Sequence, residues 1–169
     1  MNISVELVKK EEKEILRNLL EKYGYELSQY FGNDINDLGL YGYDYFDCYW
    51  TDENRYPYFI KVDNKLAGFI MINDYPEGTQ KTDYTISEFF VLYKYRRNGV
   101  GKKSVKFILD KYKGEWQLKF HPNNELSKKF WLKTINEYTN GKYNTIKDDP
   151  HPDALYDDGT IGHILIFKT

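Results

Sequence analysis

The stretch Arg96-Arg97-Asn98-Gly99-Val100-Gly101-Lys102 carries the clearest chemistry in the chain. It lies between an apolar run over residues 86–92 and a stretch, 99–112, whose Gly101, Val105, Ile108, Leu109 and Tyr112 share one helical face. A Gly-rich turn between a strand end and a helix start leaves several backbone N–H groups without partners. The helix dipole adds positive potential at the same place, which suits a phosphate. From Phe89 to Leu109 there are six basic side chains (Lys94, Arg96, Arg97, Lys102, Lys103, Lys106) and no acidic one, in a protein of net charge −2. A polyanionic ligand held at one spot is the expectation. Just upstream, Glu88 is a lone carboxylate inside the apolar strand, a position that calls for a reason.

The elements that must position these residues follow from periodicity. Residues 2–8 alternate as a strand, and 11–23 form an amphipathic helix. A second short helix is expected near 25–31, then a Tyr/Asp-rich segment of poor periodicity. Residues 58–62 and 66–72, joined by Asp63-Asn64-Lys65, read as a β-hairpin, and 83–92 as the next strand. After the 99–112 helix come a strand with Trp116, Leu118 and Phe120 and a helix over 125–138. That helix has Asn123 or Asn124 as N-cap, Leu126, Phe130, Trp131, Ile135 and Tyr138 facing inward, and Asn140-Gly141 at its end. Residues 143–148 and 161–168 supply the last strands. The order β-α-(α)-β-β-β-α-β-α-β-β implies a mixed α/β fold with helices on both faces of the sheet. With no repeat and no linker, residues 1–169 are expected to form a single domain.

Composition narrows the function. The chain is 41% hydrophobic and 30% charged, and Tyr is unusually frequent at 17 residues, which suits clefts as well as core. Near-neutral charge argues against general nucleic-acid or membrane-surface binding. A single cysteine, Cys48, excludes an intramolecular disulfide, and His121, His151 and His163 lack ligand spacing, so no metal is expected. No apolar signal core or transmembrane run is visible, so the default is a cytoplasmic protein. Gly101-Lys102-Lys103-Ser104 is not a P-loop, because Arg96 stands where the earlier glycine is required.

With these residues in place the chain resembles the GCN5-related N-acetyltransferase (GNAT) superfamily. Arg96-Arg97-Asn98-Gly99-Val100-Gly101 matches its Arg/Gln-x-x-Gly-x-Gly/Ala signature. Asn124 opens a helix reading Asn-x-x-Ser-x-x-Phe-Trp, close to the family's Asn-x-x-Ala-x-x-Phe-Tyr, and the element order agrees from residue 2 to the last strand. The resemblance implies an acyl-CoA N-acyltransferase fold, with a central, mostly antiparallel sheet and a splayed strand pair. It implies acetyl-CoA as co-substrate. The pyrophosphate would rest on the backbone of Arg96, Arg97, Asn98, Gly99, Val100, Gly101 and Lys102, where a Cβ at 99 or 101 would hold the phosphate oxygens away. The pantetheine arm would lie beside Phe89, Phe90 and Val91, and Asn124 would contact it.

The implied reaction is attack of a neutral primary amine on the thioester, so a base must take a proton first. Glu88, beside an implied strand bulge, is the candidate, its pKa raised by partial burial. A solvent-facing position, or substrate binding without proton transfer, remains open for it. The family's usual acid is a Tyr where this chain has Trp131, whose indole N–H is not a usable acid. From Asn33 to Arg55 there are six acids and one base. Tyr43, Asp44, Tyr45 and Asp47 would therefore suit the amine of a cationic small molecule or peptide through charge and cation–π contacts, or else form a solvated loop. The alternative to an enzyme is a non-catalytic acyl-CoA-binding sensor. Relatives are often dimers, so a homodimer is a further expectation.

Overall fold

A computed structural model describes residues 1–169. The strands are β1 (Ile3–Leu7), β2 (Tyr56–Val62), β3 (Lys65–Asn73), β4 (Tyr84–Val91), β5 (Glu115–Phe120), β6 (Tyr143–Ile146) and β7 (His163–Lys168). The helices are α1 (Lys13–Phe31), α2 (Cys48–Thr51), α3 (Val100–Lys111) and α4 (Glu125–Thr139). All seven strands join one sheet in the order β1-β2-β3-β4-β5-β7-β6. Every pairing is antiparallel except β4 with β5. No helix is long and apolar enough to cross a membrane.

Two apolar layers sandwich the sheet, as the alternation of its strands requires. On one face Ile70, Ile72, Ile86, Trp116 and Leu118 pack with Val105, Ile108 and Leu109 of α3 and Trp131 and Ile135 of α4. On the other, Phe59, Phe69, Met71 and Phe90 pack with Leu16, Leu19 and Leu20 of α1 and with Phe46 and Tyr49 beside and within α2. Glu88 reaches this second face, between strands that are otherwise apolar there.

Two irregularities in β4 open the sheet. Met71 pairs with Glu88 but Ile72 pairs with Ile86, so Ser87 is an extra residue and forms a β-bulge. Beyond the bulge β4 leaves its parallel neighbour: pairing covers only residues 84–86 with 116–118, while β4 runs on to Val91 and β5 to Phe120. The splayed pair expected from the resemblance is present, and the β5-facing edge of residues 87–91 has no strand partner.

Two expectations are corrected here. The segment 25–31 is no separate helix, because α1 runs unbroken to a left-handed cap at Gly32 (φ 68°). Gly24 does not end it; a Cβ there would stand 3.0 Å from the Tyr41 ring, so the glycine admits the returning chain. Leu126, expected to face inward, is 64% exposed in the first turn of α4.

Candidate active site

The turn after β4 is built for an anion, and its side chains play a different part from the one expected. Arg97 and Gly99 both adopt positive φ (61° and 76°), and this turns the chain into α3 with Gly99 as its N-cap. The N–H groups of residues 97–102 find no backbone acceptor, and no side chain caps the helix. Six consecutive donors at a helix N-terminus form a nest for oxygen anions. A Cβ on Gly99 would meet nothing within 4 Å, so the approach to these donors is open.

Gly101 serves another purpose than the expected one. A Cβ there would sit 3.1 Å from Phe89 and 3.2 Å from Phe130, whose rings are stacked at 5.1 Å and 9°. This glycine lets α3 close onto β4 and α4, rather than clearing a path for phosphate.

The Arg96 guanidinium faces away from the donor array. It is paired in a fork with Glu26 of α1 (2.8 and 2.6 Å), its Nε donates to the Val91 carbonyl at 2.6 Å, and it stacks on Tyr93 at 4.1 Å. Arg96 therefore straps the end of β4 to α1, and its backbone N–H is taken as well, by the Tyr93 carbonyl at 3.1 Å, so the open donors begin at Arg97. Fork geometry is what Lys cannot reproduce. Arg96→Lys is expected to lower unfolding stability by about 1–3 kcal/mol, read by urea titration. Lys102 is likewise committed, to Glu137 of α4. Asn124 caps α4 by accepting from the Ser127 N–H at 3.0 Å, which leaves its amide NH2 free to donate.

Across the splay, Glu88 lies half-buried at the bulge. Burial pushes its carboxyl up from 4.5 to about 7; the Tyr23 and Tyr43 hydroxyls oppose this by hydrogen bonding to the ionised form, while the Glu77 charge adds to the rise. Tyr49 shares a 2.7 Å hydrogen bond with Ser87, the bulged residue itself.

On the β5 side stand residues that no sequence pattern marked. Lys119 pairs with Glu77 at 3.0 Å and lies 4.8 Å over the ring of Tyr156. Glu77 is also raised, first by burial, although Lys119 works against the shift. The Tyr156 hydroxyl is held well above its usual value by burial and then by the charges of Glu77, Glu88 and Asp158. Tyr156 stacks on Phe31 at 4.7 Å and packs against His121 at 5.1 Å. Thr79, two residues after Glu77, is fixed by the buried Asp149, which accepts from its N–H (3.1 Å) and hydroxyl (2.8 Å).

Of the four residues expected to bind the acceptor, only Tyr43 meets Glu88. Asp44 is exposed, Tyr45 is 63% exposed, and Asp47 turns outward to pair with Lys13 at 2.9 Å. The acidic segment is mostly a solvated surface, because each of its side chains gains more from water or a surface lysine than from the cleft. Trp131 is buried against Phe89 (5.1 Å) and Phe130 (4.9 Å). Tyr138 donates to Asp110 at 3.0 Å on the outer side of α3 and α4, away from Glu88. His121 accepts from the Asn123 N–H and lies 3.2 Å from Asp158, a local role. No three His, Cys, Asp or Glu side chains converge as a metal site would need.

Comparison with known proteins agrees with this architecture. The family model described as "Acetyltransferase (GNAT) family" matches residues 15–136. No curated protein matches the sequence. An acetyltransferase from Thermus thermophilus superposes with a TM-score of 0.70 at 13% identity, covering 100% of this chain and 98% of its own. The PaiA N-acetyltransferase of Thermoplasma acidophilum, solved in complex with coenzyme A, gives 0.61 at 14% identity and 100% coverage of both chains. Diaminobutyrate acetyltransferase from Paenibacillus lautus, in complex with L-2,4-diaminobutyric acid and coenzyme A, gives 0.60 at 14%, covering 99% and 95%. Identities this low establish a shared fold and no shared substrate. The family match spans well over half of the sequence, and both the splayed β4–β5 pair and the donor-lined turn fall within it, so the chain belongs to the acetyltransferase (GNAT) family.

Proposed function

We propose that the chain transfers an acetyl group from acetyl-CoA to a primary amine of a cationic small molecule or peptide, with residues 1–169 acting as one catalytic domain. The observation that carries this reading is Glu88, a half-buried carboxyl at the bulge with a pKa of about 7, where the sheet opens. The free N–H groups of residues 97–102 would hold the pyrophosphate, and the unpaired edge of residues 87–91 would take the pantetheine arm. That two structural neighbours were solved with coenzyme A supports the same choice of co-substrate.

Acetyl-CoA, when bound, supplies the acetyl group as a thioester, whose C–S bond breaks as the new C–N bond forms. Glu88 takes the proton from the incoming ammonium so that a neutral nitrogen lone pair faces the carbonyl. Two carboxylates against one lysine, Glu77 and Glu88 against Lys119, with Tyr23, Tyr43 and Tyr156 around them, favour a cation over an anion as acceptor. Glu88 near 7 is half ionised at neutral pH, which matches the requirement for a base that both accepts and releases a proton.

The test is a panel of diamines, aminoglycosides, basic amino acids and short peptides with acetyl-CoA, followed by free-thiol release. Acetylation of at least one cationic amine is expected. Tight coenzyme A binding with no thiol release from any amine would instead favour the sensor reading.

A further inference from the structure

Two arginines are withdrawn from solvent, and only one of them is satisfied. The Arg96 side chain is 25% exposed and uses its Nε and both terminal nitrogens on Val91 and Glu26. The Arg55 side chain, just before β2, is 8% exposed. Its Nε is sealed from solvent with no hydrogen-bond partner; Asp52 Oδ2 stands 3.2 Å away, outside the direction of the N–H bond, so this contact is charge pairing alone. The two NH2 groups donate to no carboxylate or carbonyl, and neither is sealed in with Nε. Asp52 is itself 41% exposed and accepts a hydrogen bond from Thr51. A guanidinium drawn out of water with its donors unused is costly, and an anion that takes those donors removes the cost.

Tyrosines shape the surroundings of this guanidinium. Its carbon lies 4.6 Å from the ring centre of Tyr75, 5.5 Å from that of Tyr49 and 5.7 Å from that of Tyr45. Tyr75 and Tyr45 are 55% and 63% exposed, so they form an outer cover that side-chain rotation opens. Tyr49 is the buried inner wall, and its hydroxyl reaches Ser87 at the bulge through a 2.7 Å hydrogen bond. Rings packed around a guanidinium leave its N–H edge for a partner, and that edge matches the two oxygens of a carboxylate. The place belongs to the acceptor half of the cleft. Pro57, Met71 and Glu88 stand in register across β2, β3 and β4, and Arg55 lies two residues before Pro57, on the same face by alternation. The Arg55 and Glu88 backbones are therefore about 12 Å apart, two strand spacings across and two residues along.

We propose that Arg55 binds a carboxylate carried by the acceptor, so that the amine acetylated is the side-chain amine of a basic amino acid rather than that of a polyamine or an aminoglycoside. This rests on the acetyltransferase reading and deepens it. The acceptor nitrogen sits at Glu88 while its carboxylate takes the Arg55 fork, and the transfer itself is the one described above. A small molecule that touches both positions needs its amine and its carboxylate several bonds apart, as in L-lysine.

The consequence is a substrate preference that Arg55 carries. With acetyl-CoA, kcat/KM for L-lysine should exceed that for 1,5-diaminopentane, which lacks only the carboxylate, by about 10- to 100-fold. Arg55→Lys keeps the charge but loses the fork, so KM for L-lysine should rise about tenfold or more and the preference should shrink. A purely structural role for Arg55 would lower turnover of both amines by one factor and leave their ratio alone. An equal or better kcat/KM with the diamine, or an unchanged ratio in Arg55→Lys, overturns the proposal.

A second readout needs no turnover. The sealed Arg55 Nε is shielded from exchange with water, so its N–H gives its own signal in ¹H–¹⁵N spectra of the whole protein. The signal is assigned by its loss in Arg55→Lys or, should circular dichroism show that variant unfolded, by its displacement when the ring is removed in Tyr75→Leu. With coenzyme A present, L-lysine should move this signal, and 1,5-diaminopentane should not. No movement with L-lysine, or equal movement with the diamine or with sodium acetate at the same concentration, overturns the acceptor-carboxylate site. Failure of the acetyltransferase reading shows separately, as no product from any amine.

Discussion

Glu88→Gln is expected to lower kcat by about 10²–10³-fold with a cationic amine, and to abolish the acid limb of the pH–rate profile near 7. The size follows from what Glu88 has to do. An aliphatic amine with a pKa above about 10 is almost wholly protonated at neutral pH, and without a base only the small neutral fraction reacts. Gln keeps the shape of the side chain and can still accept from Tyr23 and Tyr43, so packing at the bulge should survive. The wild-type rate should rise with pH as Glu88 ionises through about 7, while the variant should follow only the amine's own ionisation. An unchanged rate across pH 6–9 would remove Glu88 from the mechanism.

The same substitution should act on stability with the opposite sign. The Glu88 folded-state pKa, about 7, lies above the ordinary 4.5, so the native state binds its proton more tightly than the unfolded chain does. Such a carboxyl destabilises the fold as pH rises from about 4.5 to 7, and the full loss is present above 7; the bound set by the shift is about 3 kcal/mol. Glu88→Gln does not carry this cost, so its melting temperature at pH 8 should exceed the wild type's, and the gap should close below pH 5. A slower enzyme that is also more stable at alkaline pH would be the signature of a residue kept for function.

The sequence made one half of the site legible and left the other half dark, for a physical reason. The cofactor half is local: the Gly99 turn, the start of α3 and the end of β4 lie within about a dozen consecutive residues, and local backbone geometry is what short motifs encode. Glu88 was visible because a carboxylate interrupts an apolar strand. Glu77, Lys119, Tyr23 and Tyr156 come from four separate elements, and each is an ordinary residue in its own stretch. Only the bulge and the splay bring them together. The Tyr/Asp segment stayed ambiguous for the opposite reason, since its density of acids and rings fits a binding loop as well as a solvated one; in the structure Asp44, Tyr45 and Asp47 face water. Arg96 shows the same limit within the motif. Its spacing from Gly99 is local, but its partner Glu26 is on α1, and that partner decides what the guanidinium does.

Gly101→Val is expected to weaken coenzyme A binding by about 10- to 100-fold. The three contacts that a Cβ would make, with Phe89 and Phe130 at 3.1–3.3 Å, oblige the rings to give by a few tenths of an ångström, and the extra methyls of a branched residue would wedge the ring stack further apart. The rings belong to β4 and α4, so the wedge pushes the first turn of α3 away from the strand end. One N–H group then points off the pyrophosphate, and a hydrogen bond to a charged group is worth about 1.5–3 kcal/mol, which gives the stated range. Overpacking should also cost about 1–3 kcal/mol of stability. Gly99→Ala separates the two effects. Its Cβ touches nothing, so the cost is mainly the strain of φ 76° in a non-glycine residue, about 1 kcal/mol, and the N–H array stays in register with α3. Titration calorimetry with coenzyme A on folded protein should therefore rank wild type, Gly99→Ala and Gly101→Val in falling affinity. Wild-type affinity in a folded Gly101→Val protein would mean that the turn at residues 97–102 does not hold the phosphates.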